Sequence, residues 1–362
     1  MKLRSSALRS TPAQSPLARL ALVALALSAI ALSTWRIAQL FGSGQREQQL
    51  AAALEVRSFG KARVLLAEQI AARPHDPQLH FLAARLARRQ NDLPQANQEL
   101  QSCLTHGGDY QEIAFEQRLA DLQRGEHTHV DEYDRFCVAN PAAPETPLIL
   151  EALIEGCLFT RNLRPLGGYL AAWEHRSKST VDRSQALLWR GRALGLQRDL
   201  GGQKRAYQQA VELHPQNYAA RLALAQLLLD HDLPAAAEQL AWLRAHSPES
   251  PEVGYYGAVL DRNLGRLENA VAELDGLLAR QPKHVEALVL RGRIALEQQQ
   301  VAAAKPYLAQ AEQLAPLHPA VLSAMIDYLR LSGQPEECAR YCQRVAEIKS
   351  ETEQRRAAES QP

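Results

Sequence analysis

Small and large apolar residues recur four apart along the carboxy-terminal half of the chain. The pairs are Ala236 and Leu240, Ala270 and Leu274, Ala304 and Leu308, and Cys338 and Cys342. Residues four apart share one face of a helix. A small residue followed by a large one lets a second helix approach and interlock. Another set of small residues, Gly191, Ala225, Ala258 and Gly292, recurs earlier in each block. Pro215, Pro248, Pro282 and Pro316 close the blocks at intervals of 33, 34 and 34 residues. Proline lacks an N–H and restricts the residue before it, so each one marks where a helix must stop. Gly265 and Gly333 fall between two apolar stretches, at a turn where glycine permits positive φ. A fixed period of about 34 residues predicts a stack of helical hairpins.

The same marks continue toward the amino terminus with less regularity. Ala62, Leu66 and Pro74 fit one unit; Ala96, Leu100 and Leu104 fit the next, with Asn91-Asp92 at its turn. From Asp109 to Pro141 the pattern blurs, although Leu119, Leu122, Tyr133 and Phe136 still allow a helix pair. A further pair fits Pro147–Phe159 and Leu163–Trp173, turning at Arg161-Asn162. Glu174 to Asp182 is polar and reads as a loop. The organisation is therefore irregular repeats over 47–174, regular repeats over 183–348 and a polar tail over 349–362 that extends the last helix. Dividing the span from Glu47 to Glu347 by the period gives about nine helix pairs. Helix formers dominate and β-branched runs are nearly absent, so the fold class is all-α.

The first residues follow another logic. Residues 1–19 carry Lys2, Arg4, Arg9 and Arg19 and no acid, and Leu20 to Trp35 is free of charge. As a helix that run is about 24 Å long, short of a roughly 30 Å hydrocarbon core. Arg19 and Arg36 can snorkel, and Trp35 and Phe41 can sit at the interface, which narrows the gap. Residues 20–41 are thus expected to be a single-pass signal anchor, with the leader 1–19 cytoplasmic and the repeats outside, in the periplasm if the source is bacterial. The alternative is a signal peptide cleaved near Ala31, after Ala29-Ile30-Ala31, which would release the repeats.

The period and its marks resemble the tetratricopeptide repeat family. Leu187, Gly191, Leu194, Tyr207, Ala210 and Pro215 match one unit of the family pattern. Ala270, Leu274 and Pro282 match another, and Ala304, Leu308, Ala311 and Pro316 a third. Gln203 and Asp261 depart from it. The resemblance implies a right-handed α-solenoid whose first helices line a concave, peptide-binding groove. By that resemblance the lining includes Arg192, Leu196, Leu222, Gln226, Tyr255, Arg262, Asn263, Val289, Arg293, Asp327 and Arg330. Four arginines on such a face suit an acidic peptide, because guanidinium forks match carboxylates. The rival reading is a solvated face on which Asp230, Glu252, Glu286 and Glu297 offset the arginines.

Composition narrows the function further. The formal net charge of +1 argues against nucleic acid as a partner. No phosphate loop, HExxH or GxSxG motif occurs, so no catalytic residue, cofactor site or metal site is assigned. His127 and His129 near Asp131 and Glu132 lie where a polar interhelix turn is expected anyway. Five cysteines, an odd number without a CxxC pair, cannot all pair within one chain. Cys338 and Cys342 occupy the packing positions of the last unit and read as small hydrophobes. The expected function is a membrane-tethered scaffold for protein–protein contact in an envelope assembly. A self-associating structural protein and a non-catalytic recruiting subunit of an enzyme or secretion complex are the alternatives.

Overall fold

The computed structural model describes residues 45–177 and 179–359, so the expected leader and anchor over 1–41 lie outside the described residues. Among the described residues there are eighteen helices and no strand. They fall into two compact units, one ending at Asn217 and one beginning at Tyr218. The first unit contains α1 (Gln45–Glu55), α2 (Phe59–Ala72), α3 (Pro77–Arg89), α4 (Leu93–Thr105) and α5 (Tyr110–Gln123). It continues through α6 (Val130–Ala139), α7 (Thr146–Thr160), α8 (Leu163–Arg176), α9 (Thr180–Leu196) and α10 (Leu200–Leu213). The second contains α11 (Tyr218–Leu228), α12 (Leu233–His246), α13 (Pro251–Asn263) and α14 (Leu267–Arg280). It ends with α15 (Val285–Glu297), α16 (Val301–Leu314), α17 (Pro319–Leu331) and α18 (Pro335–Glu359). The expected loop over Glu174–Asp182 is largely helical, because α8 runs to Arg176 and Thr180 already starts α9.

The helix boundaries follow from side-chain chemistry. Asp76, Asp92, Asp109, Asp199, Asp232, Ser179 and Ser250 each accept a hydrogen bond from a backbone N–H in the first turn of their helix. Such a cap contributes about 1 kcal/mol. At the other end, the residues before the four periodic prolines are forced out of the helical region. His214, Ser247, Gln281 and Ala315 have φ of −138°, −152°, −131° and −146°. The proline ring excludes helical geometry from its predecessor, and the chain turns there. Within hairpins, one left-handed residue recurs. Arg57, Asn91, Arg161, Arg198 and Gln299 hold that position in some units, and Gly125, Gly265 and Gly333 hold it in others.

Packing bears out the small-and-large reading. Ala236, Leu240, Ala270, Leu274, Ala304 and Leu308 are all wholly buried. A Cβ on Gly191 would lie 2.3 Å from the Tyr207 ring, and one on Gly292 would lie 2.5 Å from Leu308. The large residue of the second helix therefore sits in the hole left by the small residue of the first. Burying each leucine in this way is worth roughly 2 kcal/mol. The last unit departs from the rule. Cys338 is half-buried against the α16–α17 core, but Cys342 is exposed. Ile326 stands where the other units have Gly or Ala, so no hole receives Cys342.

In the second unit, the first helices of successive hairpins touch one another: α11 with α13, α13 with α15, and α15 with α17. That makes them the inner row. The first unit is less regular. Here α5 and α6 both pack on α7, and they meet each other through the Phe115 and Tyr133 rings, 6.3 Å apart. Gly156 of α7 allows this, because its backbone closes directly on the carbonyl end of α5. A large core then runs from Leu119 through Tyr133, Ile149, Ile154 and Leu170 to Trp173 and Trp189.

Candidate interaction surfaces and charge centres

The expected groove residues divide between the two units. In the first unit, Arg192 borders an open hollow with Leu158, Gly195, Leu196, Gln203 and Tyr207. Its Nη1 donates to Glu155 at 3.0 and 3.1 Å. In the second unit, Tyr255 stacks on His284 with ring centroids 5.8 Å apart. Burial raises the Tyr255 hydroxyl above its usual pKa, Glu286 adds to this, and the positive charges of Arg293 and Arg262 oppose it. Arg262 donates through Nε to Glu297 at 2.9 Å, bridging the carboxy-terminal ends of α13 and α15. The Arg293 Nε is buried without a hydrogen-bond partner. Asn263 donates to the Leu229 carbonyl at 3.1 Å and braces α13 against the end of α11. Gln226 is exposed, and Arg330 is exposed 3.9 Å from Asp327. Val289, which the resemblance assigns to the lining, is buried in the core. Of the acids expected to offset the arginines, Glu297 pairs with Arg262, whereas Glu286 faces His284; Arg192 and Arg330 meet Glu155 and Asp327 instead.

The strongest electrostatic sites lie elsewhere, on the first unit. Glu116 of α5 receives the Arg85 and Arg88 guanidiniums of α3, the latter through Nε at 2.8 Å. Arg88 and Glu116 are each 1% exposed. Burial alone would raise the Glu116 carboxyl, but the two guanidiniums outweigh it and hold the pKa at about 2. Gln123 closes the site by donating to the Arg88 carbonyl and to Asn91, both at 3.0 Å. Glu151 of α7 sits between Arg57 and Arg89 at 3.1 and 3.2 Å and is likewise held at about 2 against the effect of burial. The sequence carried one sign of these centres. Glu151 and Glu155 are isolated acids in the otherwise apolar α7, and charges left on a buried face need partners.

Histidines gather at hairpin ends. His106 and His214 are carboxy-terminal caps, and His284 and His318 are amino-terminal caps. His80 faces Glu99 at 2.7 Å through Nδ1 and the Pro74 carbonyl at 2.9 Å through Nε2. Both ring nitrogens meet acceptors, an arrangement that favours the doubly protonated ring. Burial would lower its pKa, but Glu99, the Pro74 carbonyl and Asp76 together raise it above 6.5. A folded-state pKa above the unfolded value gives stability that is full below the unfolded pKa and lost as pH climbs through the folded one. The stability difference between the wild type and His80→Gln is therefore expected to shrink as pH rises above 6.5. Urea titrations along that rise check this; a difference that grows with pH would contradict it. His129 lies 3.4 Å from Glu132, and no group of three or more metal-capable side chains converges among the described residues.

Residues 204–252 and 258–319 match the family described as Tetratricopeptide repeat. No curated protein matches the chain. Among solved structures, the chain is 16% identical to the crystal structure of MamA protein, with a TM-score of 0.37, covering 47% of this chain and 94% of that one. It is 13% identical to the crystal structure of yeast Tom70, with a TM-score of 0.39, covering 83% and 84%. It is also 13% identical to the P58(IPK) TPR domain, with a TM-score of 0.29, covering 86% and 98%.

Proposed function

We propose that this chain, with tetratricopeptide repeats over 204–252 and 258–319 as the premise, is a non-catalytic scaffold that holds a partner's peptide against the inner row of its second unit. Repeat stacks present an extended surface of many modest contacts and need few sharply placed groups. The carrying observation is the Tyr255 ring stacked on His284, with Arg262 two turns further along the same helix α13 and Arg293 on α15, the next first helix. One guanidinium is paired at the surface and the other keeps a buried, unpartnered Nε. An acidic peptide would exchange the Arg262–Glu297 pair for its own carboxylate and lay an apolar side chain on the ring.

Membrane tethering through residues 20–41, with the leader inside and the repeats outside, belongs to the same proposal and rests on the charge pattern of the sequence. No helix among the described residues is long and apolar enough to cross a membrane. An envelope assembly is then the setting in which the scaffold works. The test is capture of partners from detergent-solubilised membranes, followed by affinity measurement with the partner segment found. Replacing Arg262 and Arg293 together by alanine is expected to weaken that affinity at least about tenfold, the loss of two charge-assisted contacts. Equal affinity of the double variant would remove this face from consideration.

A further inference from the structure

The turn between α1 and α2 does something that the repeat pattern does not require. Val56 and Arg57 reach helices much later in the chain. The Val56 carbonyl accepts from His214 Nε2 at 3.2 Å, across 158 residues. The Arg57 guanidinium donates through Nη1 and Nη2 to the two oxygens of Glu151 at 3.2 and 3.1 Å. It also lies over three rings, 5.4 Å from Trp173 and 5.9 Å from Trp189 and Phe59. The Arg57 side chain is 9% exposed. A carboxylate facing a guanidinium fork, with aromatic rings on its flat sides, is the chemistry that selects arginine over lysine.

The receiving side is built independently of its occupant. Trp173 donates its indole N–H to the Asp182 carbonyl at 3.0 Å, and Trp189 donates to Glu155 at 2.7 Å. The two rings meet edge to face at 84° with centroids 4.9 Å apart. Arg89 holds Glu151 from its other side, with Nε at 3.2 Å from both oxygens. The walls therefore keep their places if Arg57 leaves, and the carboxylate does not lose all compensation. The backbone of Arg57 points the same way. Its φ of 54° lies at the turn position that Gly125, Gly265 and Gly333 fill in other units. That left-handed conformation favours glycine. Arg161 and Arg198 share the position but are exposed.

We propose that Trp173, Trp189 and Glu151 form an arginine-recognition site that the chain's own Arg57 occupies, and that an arginine on a turn of a protein partner takes when the α1–α2 turn withdraws. The site rests on the first unit alone and is independent of the acidic-peptide surface of the second. A tethered occupant competes at a high effective concentration, so the intact chain masks the site. Glycine in place of Arg57 removes the competitor while suiting the left-handed backbone.

The probe is a capped peptide with the sequence of residues 53–61, Ala-Leu-Glu-Val-Arg-Ser-Phe-Gly-Lys. Binding is followed by tryptophan fluorescence and calorimetry on the full chain. Arg57→Gly is expected to bind the peptide at least about tenfold more tightly than the wild type does. The gain should vanish when the peptide arginine is replaced by alanine, and also in Arg57→Gly with Glu151→Gln. Equal binding by the variant and the wild type, or undiminished binding of the alanine peptide, would overturn the proposal. Should Arg57→Gly fail to fold by circular dichroism, Arg57→Lys serves instead, because lysine keeps the charge without the fork. The peptide should displace the side chain of the Arg57→Lys variant but not the native Arg57; identical behaviour of the two chains would equally overturn the assignment.

Discussion

Glu116→Ala is expected to destabilise the first unit by about 3–5 kcal/mol, because it strands a buried cation. Arg88 is 1% exposed and its Nη2 already lacks a partner. Without Glu116 its remaining side-chain partner is the Gln123 oxygen at 3.4 Å, and no carboxylate replaces the lost charge. Arg85 is better placed to escape, being partly exposed with its guanidinium over the Phe81 ring at 4.7 Å. Urea unfolding followed by tryptophan fluorescence in a Trp242→Phe background reads this unit, since Trp173 and Trp189 both lie in its core and Trp242 lies in the other unit. Charge burial and lost packing can be separated by adding Arg88→Met to Glu116→Leu. Replacing a whole buried pair with apolar groups is often neutral, so the double variant should recover most of the loss. A Glu116→Ala chain that unfolds at the wild-type urea concentration would show that the centre contributes nothing.

Gly156→Ala is expected to cost about 3 kcal/mol or more, the upper part of the range for overpacked interiors. A Cβ there would stand 2.1 Å from the Leu122 carbonyl oxygen. The obstacle is backbone, which cannot swing aside as a side chain can. Either α7 must move away from α5 or the end of α5 must unwind, and both open the core around Leu119 and Ile154. Gly167 and Gly168 supply the control. Both lie in α8 with nothing within 4 Å of an added Cβ. Alanine at either is expected to add about 0.5–1 kcal/mol through helix propensity. The same urea titration distinguishes the two outcomes. A neutral Gly156→Ala would mean that α5 and α7 do not approach as closely as described.

Hairpin packing and the buried ion pairs differ in how far the sequence reveals them. The contact of Gly292 with Leu308, and of Gly191 with Tyr207, is legible because both members fall on the repeat period. Period and proline placement together fix which helix meets which, so hairpin packing can be read from one chain. Glu116 with Arg88, and Glu151 with Arg57, sit 28 and 94 residues apart and obey no period. Their pairing depends on how the first unit curves, which apolar spacing does not encode. The blurred stretch after Asp109 is the same problem in another form. Its helices exist where Leu119, Leu122, Tyr133 and Phe136 suggest, but Gly156 redirects α5 onto α7. Of the groove residues, Tyr255 and Arg262 share α13 and Arg293 stands on α15 of the same unit, whereas Arg192 belongs to the other unit and Arg330 stands with Asp327. Cys342 departs from its expected burial because position counting ignores the size of the residue it must meet.

Amide hydrogen exchange on the full chain, resolved by peptide fragments, tests most directly that this protein is a stack of helical hairpins. Protection is expected to rise in each helix from α2 to α17 and to fall at the turns near Asn91, Gly125, Arg161, Arg198, Gly265, Gln299 and Gly333. Its pattern should therefore repeat about every 34 residues, the length of one hairpin. Protection without that repeat, or protected segments running unbroken across those turns, would contradict the hairpin architecture.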